Sequence, residues 1–138
     1  MKAAIQFMGY KILKISFQNN LSHGREPQEI DGISLGHEVK ISANKIVVDI
    51  DCSIGEENAD DSVYVSVMLQ GYFGLDYEKT GAFDEGTLRD ICTRNTLSIL
   101  FPYLRSVISN VTLNANIDPI IIPTINVNAL IDNQDDLT

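Results

Sequence analysis

The sequence has no tryptophan, only four prolines and two cysteines, and few basic residues. Ten lysines and arginines stand against 19 aspartates and glutamates, so the formal net charge is −9. Binding to a nucleic-acid backbone requires clustered lysines and arginines, and the aromatic residues do not interleave with basic ones as in single-strand binders. The composition therefore argues against nucleic acid as a partner and is typical of a well-solvated surface.

Long apolar runs are also absent. Nowhere do about 20 apolar residues follow one another, which is the length that a membrane-spanning helix needs. Gln6 and Lys11 interrupt the apolar residues near the start of the chain, so we expect no cleaved signal peptide, no membrane partner and a cytoplasmic location. Cys52 and Cys92 form no CxxC motif, and we expect them to be small buried apolar groups.

Motifs for metal binding, nucleotide binding and catalysis are absent as well. His23 and His37 fit neither an HExxH motif nor a Cys/His pattern. The acidic residues within 56–61 lack the ligand order of a calcium loop. Asp49 and Asp51 share one strand face, which indicates a solvated edge rather than an acid–base pair. We therefore expect no metal, no cofactor and no enzymatic activity.

What the chain does contain is alternation of apolar and polar residues, which predicts strands. A period of two covers residues 10–17, 37–43, 45–54 and 63–75, and it is clearest in the third of these segments. Residues 18–36, rich in glycine and asparagine, predict a long loop. The other connections are short, which favours antiparallel pairing.

A helix is predicted after the strands. Apolar residues recur at three- and four-residue spacing from Leu88 to Val111, which indicates an amphipathic helix of roughly 25 residues. Asp84 or Thr87 can cap its N-terminus. Pro102 lies inside this segment, where it removes a hydrogen bond and clashes with the preceding turn. The helix is therefore either kinked at this proline or divided into two helices in series.

The order of the elements predicts the fold class. Four strands followed by a helix indicate an α+β domain, with a four-stranded antiparallel sheet and a long helix packed on one face. A chain of 138 residues favours a single domain. We expect that domain to span residues 1–138, with flexible ends at residues 1–9 and 132–138.

The most specific pattern lies in residues 97–130, LSILFPYLRSVISNVTLNANIDPIIIPTINVNAL. LFPYLR is followed by an uncharged apolar run that ends at Pro123, and then by Asn126 and an Ala-Leu pair. This order resembles the C-terminal half of the SecB-type export chaperones, whose members typically read LFPYxR, a Pro-bounded stretch and PxNFxAL. The ISF at residues 15–17 and the LQGYF at residues 69–73 also resemble strand motifs of that family.

This resemblance implies an ATP-independent holdase that binds unfolded polypeptide in apolar grooves between subunits, with protein export as one setting. It also implies a homotetramer, built as a dimer of dimers with the long helices between outer sheets. Met68 and Tyr72, on the sheet face opposite the core, are candidates for the oligomer interface. The positions that match client-contacting residues of the family are Phe17, Phe101, Ile120, Ile122, Ile125 and Val127.

The sequence departs from the family at two places. The acidic positions that family members offer to the SecA motor fall on Lys14, Gln18 and Ser66, which argues against coupling to SecA through that surface. Eight residues follow Leu130, so we expect the family's C-terminal helix to be reduced to a stub around Val127–Asp132. An alternative therefore stays open: a dedicated interaction protein on the same fold, such as an antitoxin-specific chaperone of a toxin–antitoxin system or an adaptor without general holdase activity.

Overall fold

The structure, a computed structural model, describes residues 4–27, 32–76, 78, 81, 83–123, 128 and 131. The described strands form one antiparallel sheet in the order β1–β4–β3–β2, and a helix packs on one face of it. The elements are β1 (Ile5–Asn19), β2 (Ile33–Ser42), β3 (Lys45–Ile54), β4 (Val63–Leu75) and α1 (Glu85–Asn114). This architecture confirms the predicted fold class.

The core lies between the helix and one face of the sheet, because β3 and β4 alternate strictly between buried and less buried residues. Ile46 pairs with Phe73 and Ile54 pairs with Val65, so the buried rows of the two strands run in register. Since successive side chains of a strand point to opposite faces, each buried row presents a continuous apolar surface to α1. Gly71 lies in this surface, and a Cβ atom there would approach Leu100 Cδ1 of the helix to 2.7 Å.

The helix α1 is a single helix of 30 residues, longer than predicted and not divided at Pro102. Asp84 is its N-cap, and the Asp84 Oδ1 atom accepts a hydrogen bond of 2.7 Å from the Thr87 backbone N–H. This hydrogen bond favours the carboxylate form and lowers the pKa of Asp84. None of the helices in the described parts of the chain is both long and apolar enough to cross a membrane.

Strand β1 corrects the predicted N-terminal flexible end. Ile5 pairs with Leu75, Phe7 pairs with Phe73, and both β1 side chains pack partly buried against the core. The flexible end expected for residues 1–9 therefore does not include residues 5–9, because they belong to a strand paired with β4 and two of them pack against the core. Residues 1–3 and the predicted C-terminal end, 132–138, lie outside the described residues.

Two β-bulges change which residues of β1 share a face. The register shifts between Phe7 and Gly9 and again between Ile12 and Lys14. A strict alternation would place Ile12 and Ile15 on opposite faces, whereas the second bulge places both of them opposite buried residues of β4. Each bulge inserts one extra residue and so resets the alternation. As a result, the helix-facing side of β1 carries a row of large apolar side chains.

The 20–32 connection joins the two edge strands, β1 and β2, and its described part is held by backbone groups. The Asn20 N–H donates to the Ser62 carbonyl at 2.9 Å, and the Ser22 N–H donates to Asp61 Oδ1 at 2.9 Å. Further along, the Arg25 carbonyl accepts a 2.8 Å hydrogen bond from the backbone N–H of residue 118. The connection therefore passes over one end of the sheet and reaches the segment that follows α1.

Candidate apolar binding surface

Four of the six residues that the family resemblance assigns to client binding are described by the structure, and all four are buried or partly buried. Phe101 is buried, with 5% of its surface exposed, and belongs to the core. Phe17, near the end of β1, is partly buried against that core. Ile125 and Val127 lie outside the described residues. Contact with a client stays a prediction for all four positions. In this conformation, Phe101 is too deeply buried to contact a client.

The remaining two predicted client residues, Ile120 and Ile122, lie in the extended 117–123 segment, which α1 holds by its side chains. Both isoleucines are buried, Ile122 completely. The Arg105 Nε–H donates to the Ile122 carbonyl at 2.8 Å, and the Ser109 hydroxyl donates to the Ile120 carbonyl at 2.9 Å. The Ile120 N–H donates in turn to Thr112 Oγ1 at 2.9 Å. These residues therefore stabilise the subunit, and their contact with a client also stays a prediction.

An exposed apolar surface lies elsewhere, in a groove between β1 and the C-terminal half of α1. The groove has a volume of about 550 Å³. We call it the β1–α1 groove, and it is lined by Ile12, Ile15, Val107, Asn110, Val111, Asn114 and Ala115. Ile12 and Ile15 are 45% and 43% exposed, which is far more than the buried residues that they pair with on β4. Contiguous exposed apolar surface of this kind marks interaction sites in soluble proteins.

The groove exists because side chains on one stripe of α1 become shorter along the helix. Tyr103 reaches β1 and packs against two of its aromatic rings, with ring centroids 5.6 Å from Phe7 and 4.7 Å from Tyr10. One and two turns later the same stripe carries Val107 and Val111, since residues four apart on a helix are neighbours on its surface. A valine cannot span the distance that a tyrosine fills, so the sheet and the helix leave a gap.

None of the described residues that line the groove has an ionisable side chain, and its described rim is polar and neutral. Asn110 and Asn114 are exposed and lie one helical turn apart. The Asn110 Nδ2 group donates to the Ser106 hydroxyl at 3.3 Å. Neutral amides both donate and accept hydrogen bonds. This arrangement can hold apolar side chains on its floor and backbone amides at its rim.

The opposite sheet face contains the two residues predicted for an oligomer interface. Met68 is 37% exposed. The Tyr72 hydroxyl donates to Gln70 Oε1 at 2.5 Å, and the Gln70 amide donates to Asp49 Oδ1 at 2.9 Å. The Lys11 ammonium lies 5.8 Å from the centre of the Tyr72 ring. The polar end of Tyr72 is thus satisfied within the subunit, and its place in an interface stays a prediction.

A second cleft, of about 390 Å³, is polar and lies between β2 and the first turns of α1. One Arg89 Nη2–H donates to the Val39 carbonyl of β2 at 2.6 Å, and His37 and Asp90 also line the cleft. Among the described residues, no group of three or more His, Cys, Asp and Glu side chains could hold a metal ion. The mixed charges give this cleft no arrangement typical of a catalytic site.

The two cysteines are buried thiols in the core, as expected. Burial is the main cause that raises the pKa of Cys52 to about 12, and the neighbouring Asp51 carboxylate adds to the effect. Burial also raises the pKa of Cys92, although Arg89 opposes the shift. Since the thiolate is the reactive form, neither cysteine is suited to nucleophilic chemistry.

Sequence reasoning missed the four apolar residues at the centre of the groove, Ile12, Ile15, Val107 and Val111. The sequence could have indicated the helix side of the groove, because the apolar stripe of α1 is wider than a single small sheet can cover. It could not indicate the strand side, because only the bulge between Ile12 and Lys14 brings the two isoleucines onto one face.

The chain is similar to proteins of one family along most of its length. The family model described as preprotein translocase subunit SecB matches residues 16–136. The chain is 32% identical over 141 residues to the uncharacterized protein MJ0357 of Methanocaldococcus jannaschii, covering 99% of this chain and 88% of that protein. Its fold is similar to that of the Mycobacterium tuberculosis Rv1957 SecB-like chaperone, solved in complex with a ChAD peptide from the Rv1956 HigA1 antitoxin. The TM-score is 0.63 at 17% sequence identity, covering 89% of this chain and 91% of that chain.

Proposed function

Since this chain belongs to the SecB family, we propose that it is an ATP-independent holdase chaperone that binds unfolded or non-native polypeptide at exposed apolar surface. The observation that carries the proposal is the β1–α1 groove, whose floor consists of isoleucine, valine and alanine side chains. An unfolded chain offers varied side chains, so its binding site needs a tolerant apolar surface rather than a shaped pocket. The groove meets that requirement.

The energetics fit weak binding that is repeated along a client. Burying about 40 Å² of apolar surface contributes roughly 1 kcal/mol, at ~25 cal/mol per Å². A few client side chains in one groove therefore give low affinity, since binding also costs conformational freedom. Several grooves in one assembly would raise the overall affinity through effective concentration. The proposal therefore includes a homo-oligomer, with a tetramer built as a dimer of dimers as its form.

Further parts of the proposal follow from the family. Met68 and Tyr72 are proposed as interface residues, because Met68 is exposed on an otherwise mostly polar sheet face. The predicted client residues Phe17, Phe101, Ile120, Ile122, Ile125 and Val127 stay candidates, and the buried ones among them would need the subunit to open. A cytoplasmic setting, with protein export as one role, belongs to the same proposal.

A second candidate function is a dedicated interaction protein, such as an antitoxin-specific chaperone. One observation favours it: the positions of the family's acidic motor contacts are occupied by Lys14, Gln18 and Ser66. Ser66 is uncharged, and its hydroxyl accepts a 3.0 Å hydrogen bond from the Ser53 hydroxyl on the neighbouring strand. The similarity in fold to a SecB-like chaperone solved with an antitoxin peptide is consistent with this alternative.

The experiment is suppression of aggregation of a chemically unfolded model protein, measured by light scattering at stoichiometric amounts. The wild type is expected to suppress aggregation, whereas Val107→Asp places a charge on the groove floor and is expected to abolish suppression. Ser98→Asp is the matched control, since it adds the same charge at an exposed position of α1 outside the groove. A wild type that ignores the unfolded protein but binds one antitoxin-derived peptide would favour the dedicated partner. A wild type that binds neither would contradict both functions.

A further inference from the structure

The sheet face that points away from α1, which we call the outer face, carries its charges in an ordered pattern. Two neighbouring rows cross β1, β4 and β3, and each contains a lysine, a neutral residue and an aspartate in that order. The two rows are Lys11, Gln70 and Asp49, and Lys14, Met68 and Asp51. Both lysines are exposed and both aspartates are half-buried. The outer face therefore has a basic side on β1 and an acidic side on β3, with β4 neutral between them.

The next row along the strands consists of serines. Ser16, Ser66 and Ser53 continue the pattern on β1, β4 and β3, and Ser34 extends it to β2. The Ser53 hydroxyl donates to the Ser66 hydroxyl at 3.0 Å. Since a hydroxyl both donates and accepts hydrogen bonds, one serine row is complementary to another. The side chains are also small, so this part of the outer face allows close approach.

All three rows are complementary to themselves about β4. A two-fold axis that runs parallel to β4, between two outer faces, places β1 of one copy over β3 of the other and leaves each row opposite itself. Lys11 then faces Asp49 of the second copy, and Lys14 faces Asp51. Met68 meets its own counterpart at the axis. The four lysine–aspartate contacts are attractive, and aligned packing of two sheets is one of the common arrangements.

The net charge of −9 on each copy opposes this contact less than the local charges favour it. At 0.15 M ionic strength the Debye length is about 8 Å, so charges farther apart than this are largely screened. Paired charges in a contact lie within about 4 Å of each other. The contact is small, because strands lie about 4.8 Å apart and alternate residues of a strand about 7 Å apart. Interfaces below about 1,200 Å² in total are typically weak and transient.

We propose that the outer face is a docking surface for a second copy of this chain, related to the first by a two-fold axis along β4. Met68 and Tyr72, the residues predicted for an oligomer interface, both lie on β4 and so come close to this axis. The proposed tetramer has its sheets outermost, so the contact joins two such assemblies. The inference goes beyond the proposed function and does not depend on it.

The test is sedimentation equilibrium of the full chain over a range of protein concentrations at 0.15 M salt. The weight-average molar mass is expected to rise with concentration above that of the assembly present at the lowest concentration. In 1 M salt it is expected to stay at the lower value, because the Debye length falls to about 3 Å and surface ion pairs are screened.

Two double variants test whether the rows are complementary. Lys11→Glu with Lys14→Glu leaves only acidic charges in the two rows, whereas Asp49→Lys with Asp51→Lys leaves only basic ones. Each variant alone is expected to self-associate at least about tenfold more weakly, because four attractive pairs become repulsive. A mixture of the two is expected to associate again, since every lysine then faces a carboxylate. Each variant changes the net charge of −9 by four units, so both stay acidic and their attraction cannot come from net charge.

Lys40→Glu with Lys45→Glu is the matched control and is expected to preserve the association. It makes the same change in net charge at exposed positions of the outer face that pair with Val47 and Gly74, outside the two rows. Should the aspartate double variant not fold by circular dichroism, Met68→Glu takes its place, since it brings two carboxylates together at the axis and is expected to weaken the association.

Three results would overturn the inference: a molar mass that does not change with concentration, lysine variants that associate as strongly as the wild type, or folded variants whose mixture stays apart. Undiminished association of Met68→Glu would do the same. None of the substituted residues lines the β1–α1 groove, so every folded variant is expected to suppress aggregation of an unfolded protein. A wild type that self-associates but suppresses no aggregation would contradict the holdase function and leave this inference standing.

Discussion

Replacing Ile122 by alanine distinguishes a core residue from a client-binding residue, and the neighbouring Ile121 provides a matched control. Ile122 is completely buried, and its backbone carbonyl accepts the hydrogen bond from Arg105. Ile121 is 66% exposed. The two positions carry the same side chain in the same extended segment, so the same substitution tests burial alone.

The structure sets the expected magnitudes. Removing a fully buried isoleucine side chain down to Cβ costs about 2–5 kcal/mol, through the lost apolar transfer energy and the cavity that it leaves. The same change at an exposed position falls within about 0.5 kcal/mol. Because a domain of this size has a total stability of about 5–15 kcal/mol, Ile122→Ala can leave little folded protein. Ile122→Val, with an expected cost of about 0.5–1.5 kcal/mol, keeps the comparison measurable.

The assay is urea unfolding followed by far-ultraviolet circular dichroism, with the free energy of unfolding obtained by linear extrapolation. The ranking expected for the loss of stability is Ile122→Ala, then Ile122→Val, then Ile121→Ala. An Ile122→Ala variant that is as stable as the wild type, but binds an unfolded client less tightly, would refute the assignment of Ile122 to the core. It would support the client contact that the family resemblance implies.

Three further predictions concern the core. Gly71→Ala is expected to lower the free energy of unfolding by about 1–3 kcal/mol, because its Cβ overpacks against α1. Gly74→Ala is the control, since a Cβ there meets nothing closer than 3.8 Å. Urea unfolding of Gly74→Ala as early as that of Gly71→Ala would contradict this account. Thr112→Val should lower the free energy of unfolding by about 1–3 kcal/mol, because the buried Ile120 N–H loses its acceptor. Thr112→Ser keeps the hydroxyl and should cost less. Equal losses of stability in the two variants would show that this hydrogen bond contributes little. Because burial raises the pKa of the Cys52 and Cys92 thiols, neither is expected to react with a disulfide reagent at pH 8 until urea unfolds the protein. Rapid labelling of the native protein would contradict this prediction, since it would show that the thiols are accessible.

Strands β3 and β4 were predictable from the sequence because their alternation is uninterrupted, and the same is true of α1 because its apolar stripe is long. The single helix through Pro102 was not predictable. The sequence left a kinked helix and two helices in series open. Packing against the sheet on both sides of the proline offsets the lost hydrogen bond, since Leu97 and Leu104 are both buried in the core.

The candidate groove was less predictable than the fold. The sequence places Ile120 and Ile122 on one side of an extended segment, but it does not show whether that side faces the core or a client. The groove floor depends on a bulge in β1, and an extra residue in a strand leaves no clear pattern in the sequence. The wide apolar stripe of α1 indicated surplus apolar surface, and only the structure shows that this surplus lies beside Val107 and Val111.

The most direct test of the central claim is site-specific photo-crosslinking from the rim of the β1–α1 groove. A photoreactive residue at Asn114, which is exposed at the rim, is compared with one at Lys40, which is exposed at the far edge of the sheet. With a permanently unfolded model protein present, the account predicts a crosslinked adduct from position 114 and little or none from position 40. Adducts of equal yield at both positions, or none at position 114 while the client co-elutes with the protein, would contradict it.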